Sequence, residues 1–324
     1  MLRYGPYHYT GMIKEKNKKC PYIADKVFRL LTVLCSILSF IIIIGIFFEL
    51  LNNSKLSIRE FGIGFLFSTV WNPVTQEFSA LSSIYGTLLS TFIAMIIAVP
   101  MSLVIALFLV ELAPPMLRKF VGYAIELLAA IPSIIYGMWG LFVFAPFMSK
   151  HVQPVLGDYF GFLPIFHGPP MGIGILTAGI ILALMILPFI SAVMRDVFQM
   201  VPSVMKEAGF GMGATTWEVT SKIVVRYGIQ GLIGASFIGL GRALGETMAV
   251  TFVIGNNHSL SASLFSPGNS IASTLANEFT EASEPLYLHA LVELGLLLFV
   301  ITVIIQIIAQ AWLKRIHKSM GRGL

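Results

Sequence analysis

The chain has 324 residues, of which 56% are apolar and only 11% are charged. Charge keeps a soluble surface in water, and soluble domains carry roughly a quarter charged residues, so this composition excludes an ordinary soluble protein. The net charge of +5 does not indicate nucleic-acid binding, because the lysines and arginines stand beside apolar stretches on alternate loops. The composition therefore indicates a protein of the membrane.

The apolar residues form long blocks rather than the periodic stripes of amphipathic elements. A run of about 18 or more apolar residues can cross a bilayer as a helix. The blocks predict an all-α polytopic protein with six transmembrane helices, at about 29–51, 85–110, 121–147, 172–194, 229–254 and 286–313. The first block is too long for a signal peptide, so we expect a retained helix. Prolines inside the spans are expected to kink them. These are Pro100, Pro132, Pro146 and Pro188.

The lysines and arginines divide unequally between the two sets of loops. Seventeen of the 21 lie in the N-terminal segment, in the connections after the second and fourth spans, and in the C-terminal tail. Cytoplasmic loops carry the excess of positive charge, so this split predicts that both termini are cytoplasmic. The 17 residues are Arg3, Lys14, Lys16, Lys18, Lys19, Lys26, Arg29, Arg118, Lys119, Arg195, Lys206, Lys222, Arg226, Lys314, Arg315, Lys318 and Arg322.

The sequence lacks the short motifs of enzymes that hydrolyse ATP, esters or peptides. It contains no GxxxxGK[ST] phosphate loop, no GxSxG and no HExxH. The six histidines show no metal-ligand spacing, and the two cysteines, Cys20 and Cys35, form no ligand set or disulfide framework. We therefore expect no catalytic activity, no metal and no organic cofactor in this chain. If ATP drives the protein, a separate subunit binds it.

The connection between the fourth and fifth spans, about 195–228, is the longest loop on the basic side. Pro202 suits the first turn of a short helix, and the glycines at 209, 211 and 213 are expected to end it. Thr215, followed three residues later by Glu218, predicts a capping box that begins a second helix. The loop is therefore predicted to be a helix-turn-helix.

The same loop carries a family resemblance. Glu207, Ala208 and Gly209, followed by Gly213 and Ile223, resemble the EAA loop of bacterial ABC-importer permeases. The resemblance implies an all-α membrane protein with a type I ABC-importer permease (MetI-like) core. It also implies that the short helix of the loop docks into a groove on a cytoplasmic ATPase subunit. A small residue at Ala208 permits close approach, and Gly213 permits a tight turn.

The match to the EAA pattern is incomplete. Gly209 stands where the pattern has a second alanine, and Val225-Arg226 stand where it has Leu-Pro. These departures leave the end of the motif open. The alternative interpretation is an ordinary helix-turn-helix between two spans, without a docking role.

A more specific resemblance covers about 60–315. The segment at 239–250, Gly-Leu-Gly-Arg-Ala-Leu-Gly-Glu-Thr-Met-Ala-Val, resembles the permease subunits of Pst-type phosphate importers. The segments at 128–141 and 71–73 are similar to the same subunits. This family implies a heterodimer with a second permease, two cytoplasmic ATPase subunits, a periplasmic phosphate-binding protein, phosphate as the substrate, and a place in the bacterial inner membrane.

The resemblance divides the chain into four parts. A cytoplasmic segment at 1–28 precedes the first span and periplasmic loop at 29–84, and a permease domain at 85–313 precedes a cytoplasmic tail at 314–324. Two other functions remain open. One is a permease for another oxyanion, such as phosphonate, sulfate or molybdate, and the other is an ion-coupled secondary anion transporter that needs no ATPase.

Arg242 is predicted to lie at the midpoint of the fifth span, where a bare charge costs about 2.5–3.5 kcal/mol on insertion scales. Glu246 follows it by four residues and is expected on the same helical face, close enough to pair. In one interpretation Arg242 lines an anion path and Glu246 orients it, because a guanidinium contacts two phosphate oxygens at once. In the other, the two residues form a structural pair that locks helix packing.

Other polar residues within the spans are weaker candidates. Glu126 and Glu293 are expected to pair near helix ends rather than to bind substrate. Thr87, Ser90 and Thr91 are expected to hold neighbouring helices together.

Overall fold

The computed structural model describes residues 23–320, and residues 1–22 and 321–324 lie outside it. The basic residues of the N-terminal segment up to Lys19, and Arg322, therefore fall outside the described part. Within that part the chain is helical, and the β-pairing consists of one isolated bridge between Asn72 and Glu77. The predicted all-α class is confirmed.

The helices are numbered here in chain order. They are α1 Ile23–Asn53, α2 Lys55–Phe61, α3 Gly64–Phe67, α4 Leu81–Leu112, α5 Pro115–Ala130, α6 Ser133–Phe160, α7 Ile175–Gln199, α8 Ser203–Gly211, α9 Thr216–Leu244, α10 Met248–Ile254, α11 Ile271–Glu278 and α12 Pro285–Met320. A single 3₁₀ turn, Pro164–Phe166, follows α6.

Five of these helices are long and apolar enough to cross a membrane: α1, α4, α7, α9 and α12. The pair α5 and α6 makes a sixth span if the two helices are counted together. The six predicted spans are therefore confirmed, with the third broken. Several helices run past the predicted bounds, because polar residues at a helix end continue its hydrogen bonding after the apolar block has stopped.

The third predicted span, 121–147, is not one continuous helix. Helix α5 ends at Ala130, α6 begins at Ser133, and the two are bent by 90°. Ile131 has an extended backbone (φ −66°, ψ 129°), the conformation that a following proline favours. Pro132 also lacks the N–H that would continue the helix. Pro100 and Pro188, in contrast, lie inside α4 and α7, which continue past them.

The fifth predicted span, 229–254, is shifted in the structure. Helix α9 already begins at Thr216 and ends at Leu244, and a turn at Gly245 separates it from the short helix α10. Glycine is a poor helix former, and Gly239 and Gly241 lie within the last two turns while Gly245 follows the helix directly. The predicted midpoint of the span, Arg242, is therefore in the last turn of α9.

The chain divides into two compact units, residues 1–48 and 49–324. In the first unit, the large apolar side chains of α1 between Val27 and Phe48 are exposed, as expected of a helix that faces lipid. In the second unit, α4 packs along α7, and α7 also packs against α5, α9 and α10. Gly179 on α7 permits close packing, since a Cβ there would lie 2.7 Å from Ile93 Cγ2 of α4.

A polar and aromatic cluster joins the loop before α4 to the segment from α10 to α12. Glu278 accepts hydrogen bonds from Trp71 Nε1 at 2.7 Å and Tyr287 Oη at 2.6 Å, and its other oxygen lies 2.9 Å from His258 Nε2. The His258 ring stacks on Trp71. Burial raises the pKa of Glu278, but the contacts with His258, Tyr287 and Trp71 outweigh burial and hold that pKa below its ordinary value. The cluster therefore fixes loops that are 207 residues apart in sequence.

Candidate functional site

The short helix of the long loop forms where the sequence predicts it, with two differences. Pro202 caps α8 from the preceding position, and the helix runs through Gly209 to Gly211 before it ends. Gly213 is the glycine that breaks the chain direction, because its φ of +85° lies in the left-handed region that L side chains rarely adopt. The predicted break at Gly209 is therefore wrong, whereas the helix does end at Gly211 and the turn follows at Gly213.

The predicted capping box is present. The Glu218 N–H donates to Thr215 Oγ1 at 3.3 Å, and the Thr215 N–H donates to Glu218 Oε2 at 3.1 Å. The helix that starts here does not end within the loop, since it continues as α9 to Leu244. The predicted helix-turn-helix is therefore confirmed as α8, a turn and the first part of α9, and its second helix runs on into the fifth span.

The inner face of α8 packs on the start of α9. Gly209 is buried, and a Cβ at this position would meet Ile223 Cδ1 at 2.7 Å and Val219 Cγ2 at 3.1 Å. The glycine at the second alanine position of the EAA pattern therefore accommodates Ile223, a residue of the same pattern. A longer side chain at 209 requires the side chains of Ile223 and Val219 to shift, or α8 to move away from α9.

The outer face of α8 and the turn after it are open. Glu207, Ala208 and Gly213 are exposed. Large apolar side chains surround them, with 70% of Val204, 89% of Met212 and 76% of Trp217 exposed. We call this surface the docking face and define it by Val204, Phe210, Met212 and Trp217. Several exposed large apolar side chains on one short segment are typical of a protein interaction site.

Two ion pairs tie this end of the bundle together. Lys206 on α8 contacts Glu111 at the end of α4, with 2.5 Å between Nζ and Oε1. Arg195 on α7 contacts Glu126 on α5, with 2.9 Å between Nη2 and Oε1. The predicted pairing of Glu126 at a helix end is confirmed. The sequence did not indicate Glu111, because its partner is 95 residues away and no local motif marks the pair.

Arg242 is exposed in the last turn of α9. Its guanidinium carbon lies 5.7 Å from the centre of the Phe189 ring, within the range of a cation–π contact. Among residues 23–320 it forms no ion pair and no side-chain hydrogen bond. The five N–H donors of this guanidinium are therefore available to a ligand or to a partner chain.

Glu246 lies in the turn between α9 and α10. Its Oε1 accepts a hydrogen bond of 3.4 Å from the Ala249 N–H in the first turn of α10, so it caps that helix. The predicted contact between Arg242 and Glu246 is absent from the described structure. Its geometry required a continuous helix, and α9 ends at Leu244, between the two residues. Their roles in a substrate path stay predictions.

The remaining polar residues of the spans have separate roles. Thr87 Oγ1 accepts a hydrogen bond of 2.9 Å from the Ile271 N–H and so joins α4 to α11, as predicted. Ser90 bonds only within its own helix, to Gly86 O at 2.7 Å. Glu293 is buried in α12, and within residues 23–320 it forms no ion pair and its Oε2 has no hydrogen-bond partner, so the predicted pairing is not observed in the described part of the chain.

A cavity of about 830 Å³ lies between α4, α9 and α12. Its lining is almost entirely apolar and includes Met95, Phe237, Leu240 and Trp312. Thr91 lines it as well, and its buried hydroxyl has no hydrogen-bond partner among the described residues. The lining does not include Arg242, so this cavity is separate from the exposed guanidinium.

Metal binding finds no support in the described residues. No group of three or more histidine, cysteine, aspartate or glutamate side chains is close enough to hold an ion in that part of the chain. The described residues instead offer an exposed arginine at a helix end, with no ion pair among residues 23–320, and the apolar docking face.

Comparisons with known proteins identify the family. No protein-family model matches the chain. The phosphate transport system permease protein PstC of Pasteurella multocida is 52% identical over 312 residues, which cover 95% of this chain and 97% of the relative. PstC of Mesorhizobium japonicum is 52% identical over 303 residues, which cover 92% of this chain and 93% of that protein.

Solved structures share the fold at low identity. A bacterial alginate ABC transporter, solved in complex with a periplasmic protein carrying alginate pentasaccharide, matches with a TM-score of 0.60 at 17% identity, over 91% of this chain and 96% of its own. The inward-facing MetNI methionine ABC transporter matches with a TM-score of 0.55 at 17% identity, over 76% of this chain and 99% of its own. With its apolar spans and this fold, the chain is a multi-pass membrane permease, and it belongs to the PstC family of phosphate transport system permease proteins.

Proposed function

We propose that this chain is one permease subunit of an ATP-driven bacterial phosphate importer in the inner membrane. It forms half of the translocation path and takes its energy from a separate ATPase. The main support for coupling to this ATPase is the docking face, where four large apolar side chains are exposed near the EAA-like residues Glu207, Ala208 and Gly213. Relatives at 52% identity that are named phosphate transport permeases support the substrate.

The partners follow from the parts that the chain lacks. It has no phosphate loop, so a separate cytoplasmic ATPase binds ATP. This ATPase covers the docking face, and two copies of it serve the two permeases. A second, similar permease forms the other half of the path, because one side of the Arg242 guanidinium is exposed in this chain. A periplasmic phosphate-binding protein delivers the anion. ATP-driven closure of the ATPases is passed to the spans through α8 and alternates access to the path.

The anion path runs beside the end of α9. The planar fork of the Arg242 guanidinium donates to two phosphate oxygens at once. The ring of Phe189 supports the guanidinium from one side and leaves the N–H donors free. Glu246 acts on the backbone, because its cap on α10 holds the turn that follows Arg242. The acid is thus a positioning residue for the path rather than the direct partner of the arginine.

The test of this function is uptake into vesicles that hold the chain with its partner permease and ATPase. Radiolabelled phosphate should accumulate when ATP and the binding protein are present. Unlabelled phosphate should compete fully, whereas sulfate, molybdate and phosphonate should compete at least tenfold more weakly. Stronger competition by another oxyanion would assign the permease to that anion instead.

The orientation is the second part of the proposal, with both termini in the cytoplasm and α8 on the cytoplasmic side. Single cysteines are introduced into a variant in which Cys20 and Cys35 are serine, and intact cells are treated with an impermeant thiol reagent. Thr75→Cys and Ser259→Cys lie in exposed loops and should label. Lys119→Cys, also exposed, should label only after the cells are permeabilised. Labelling of Lys119→Cys in intact cells contradicts the orientation.

A further inference from the structure

The ion pair between Lys206 and Glu111 is shielded from solvent. The two charged atoms are 2.5 Å apart, and only 20% of the Lys206 side chain and 11% of the Glu111 side chain are exposed. Water therefore screens the pair little, and loss of either partner leaves a poorly solvated charge. Exposed pairs, in contrast, contribute about 0–1 kcal/mol. Lys222 and Glu218, which pair within one helix, are of that exposed kind.

Glu111 stands in an unfavourable position for an acid. It lies in the last turn of α4, where the helix dipole places partial negative charge. Arg118 Nη2 already donates to the free carbonyl of Val110 at 2.5 Å, which leaves the carboxylate to another cation. Lys206 supplies that cation from a different helix. The pair thus fixes the end of α4 to Lys206 of α8.

The two contacts of α8 with the bundle differ in kind. Gly209 packs against Ile223 and so joins α8 to α9 by apolar contact. Lys206 joins α8 to α4, which packs along most of α7 and lines the 830 Å³ cavity. A displacement of α8 therefore reaches two different spans. The apolar contact allows α8 and α9 to shift against each other, whereas the ion pair joins one atom of Lys206 to one atom of Glu111.

From this geometry we propose that the Lys206–Glu111 pair couples α8 to α4, so that movement imposed on the docking face shifts α4 together with α9. Lys206 and Glu111 are positioning residues in this account, since neither contacts the anion. The inference rests on the proposed function, because it presumes an ATPase on the docking face. It assigns a coupling role to two residues outside the EAA-like pattern and identifies α4 as a span that moves with α8.

The test measures phosphate transported per ATP hydrolysed in vesicles that contain the whole complex. Lys206→Met retains the length of the side chain and removes its charge. We expect the ATPase to copurify and to hydrolyse ATP at a rate within twofold of the unmodified complex, while phosphate per ATP falls at least tenfold. The swapped variant Lys206→Glu with Glu111→Lys should recover at least half of the ratio, because it restores the pair and places a cation at the end of α4.

Lys222→Met is the matched control. Lys222 lies in α9 and pairs with Glu218 of the same helix, so its substitution breaks no contact between two helices. Phosphate transported per ATP should therefore stay within twofold of the unmodified complex. If Lys206→Met assembles poorly, Glu111→Gln with Lys206→Met is measured as a neutral pair without a buried charge, and its ratio should still be low.

The outcomes separate the inference from the function on which it rests. A normal ratio in Lys206→Met, or in the neutral double variant, overturns the coupling role while the importer stands. A swapped variant that assembles but keeps the low ratio overturns it as well. If the unmodified complex itself transports no phosphate on ATP hydrolysis, the proposed function fails and the inference fails with it.

Discussion

Replacement of Gly213 by valine should remove the ATPase from the purified complex while the chain stays in the membrane. Gly213 has a φ of +85°, and a β-branched residue in that conformation costs about 1–3 kcal/mol. The space around a Cβ at this position is empty, so backbone strain rather than a clash opposes the substitution. The turn then relaxes, and Met212 and Trp217 on the docking face no longer hold their relative positions. Copurification of the ATPase with a tagged chain measures the effect.

Gly211→Ala provides the matched control two residues earlier. Gly211 lies in α8, and a Cβ there meets nothing within 4 Å. Alanine is the better helix former by about 1 kcal/mol, so this variant should retain the ATPase and normal uptake. If Gly213→Val retains both the ATPase and uptake, the loop is not a docking element and the coupling proposal is wrong.

Replacement of Arg242 by glutamine should abolish most phosphate uptake without loss of the assembled complex. A hydrogen bond to a charged group contributes about 1.5–3 kcal/mol, which corresponds to roughly 10- to 150-fold in uptake. The complex should persist, because the described structure gives Arg242 no ion pair or hydrogen bond that the substitution would break, and an exposed cation–π contact is worth only about 0.5–1 kcal/mol. Arg242→Lys should recover little, since an ammonium lacks the planar fork.

The controls for Arg242 lie on the same helix and in the adjacent turn. Arg226→Gln removes another exposed arginine of α9 and should change uptake less than twofold. Glu246→Gln keeps an oxygen that can accept from the Ala249 N–H, so its effect should be mild. Because Arg242 and Glu246 are not in contact, the double glutamine variant should transport no better than Arg242→Gln alone. Near-normal uptake in that double variant excludes a direct role for Arg242.

The spans and the caps could be predicted from the sequence because their signals are local. Apolar blocks report helices directly, and the Thr215–Glu218 box acts over three residues. The helix ends were predicted less well. Apolar residues continue past Arg242 and so predict it at a span midpoint, whereas the helix ends at Leu244, just before Gly245. Apolar content alone misses this end, which follows from the low helix propensity of the glycines near 245.

Contacts between distant segments could not be predicted in the same way. Glu111 gave no local sign of its partner Lys206, and the cluster around Glu278 joins Trp71 and Tyr287 across loops that have no shared motif. Such pairs depend on how the helices pack, and a single sequence carries little information on packing. The 90° bend before Pro132 could be predicted only in part, since a proline indicates that the helix breaks but not by what angle.

The most direct measurement of the central claim is ATP-dependent phosphate uptake by the reconstituted complex. Vesicles with the chain, its partner permease and the ATPase should accumulate phosphate when ATP and the binding protein are supplied on their proper sides. Accumulation should persist when ionophores dissipate proton and sodium gradients, and it should stop when the ATPase is omitted. Vesicles that hold this chain alone and accumulate phosphate on an ion gradient, without ATP, would show a secondary transporter and contradict the account.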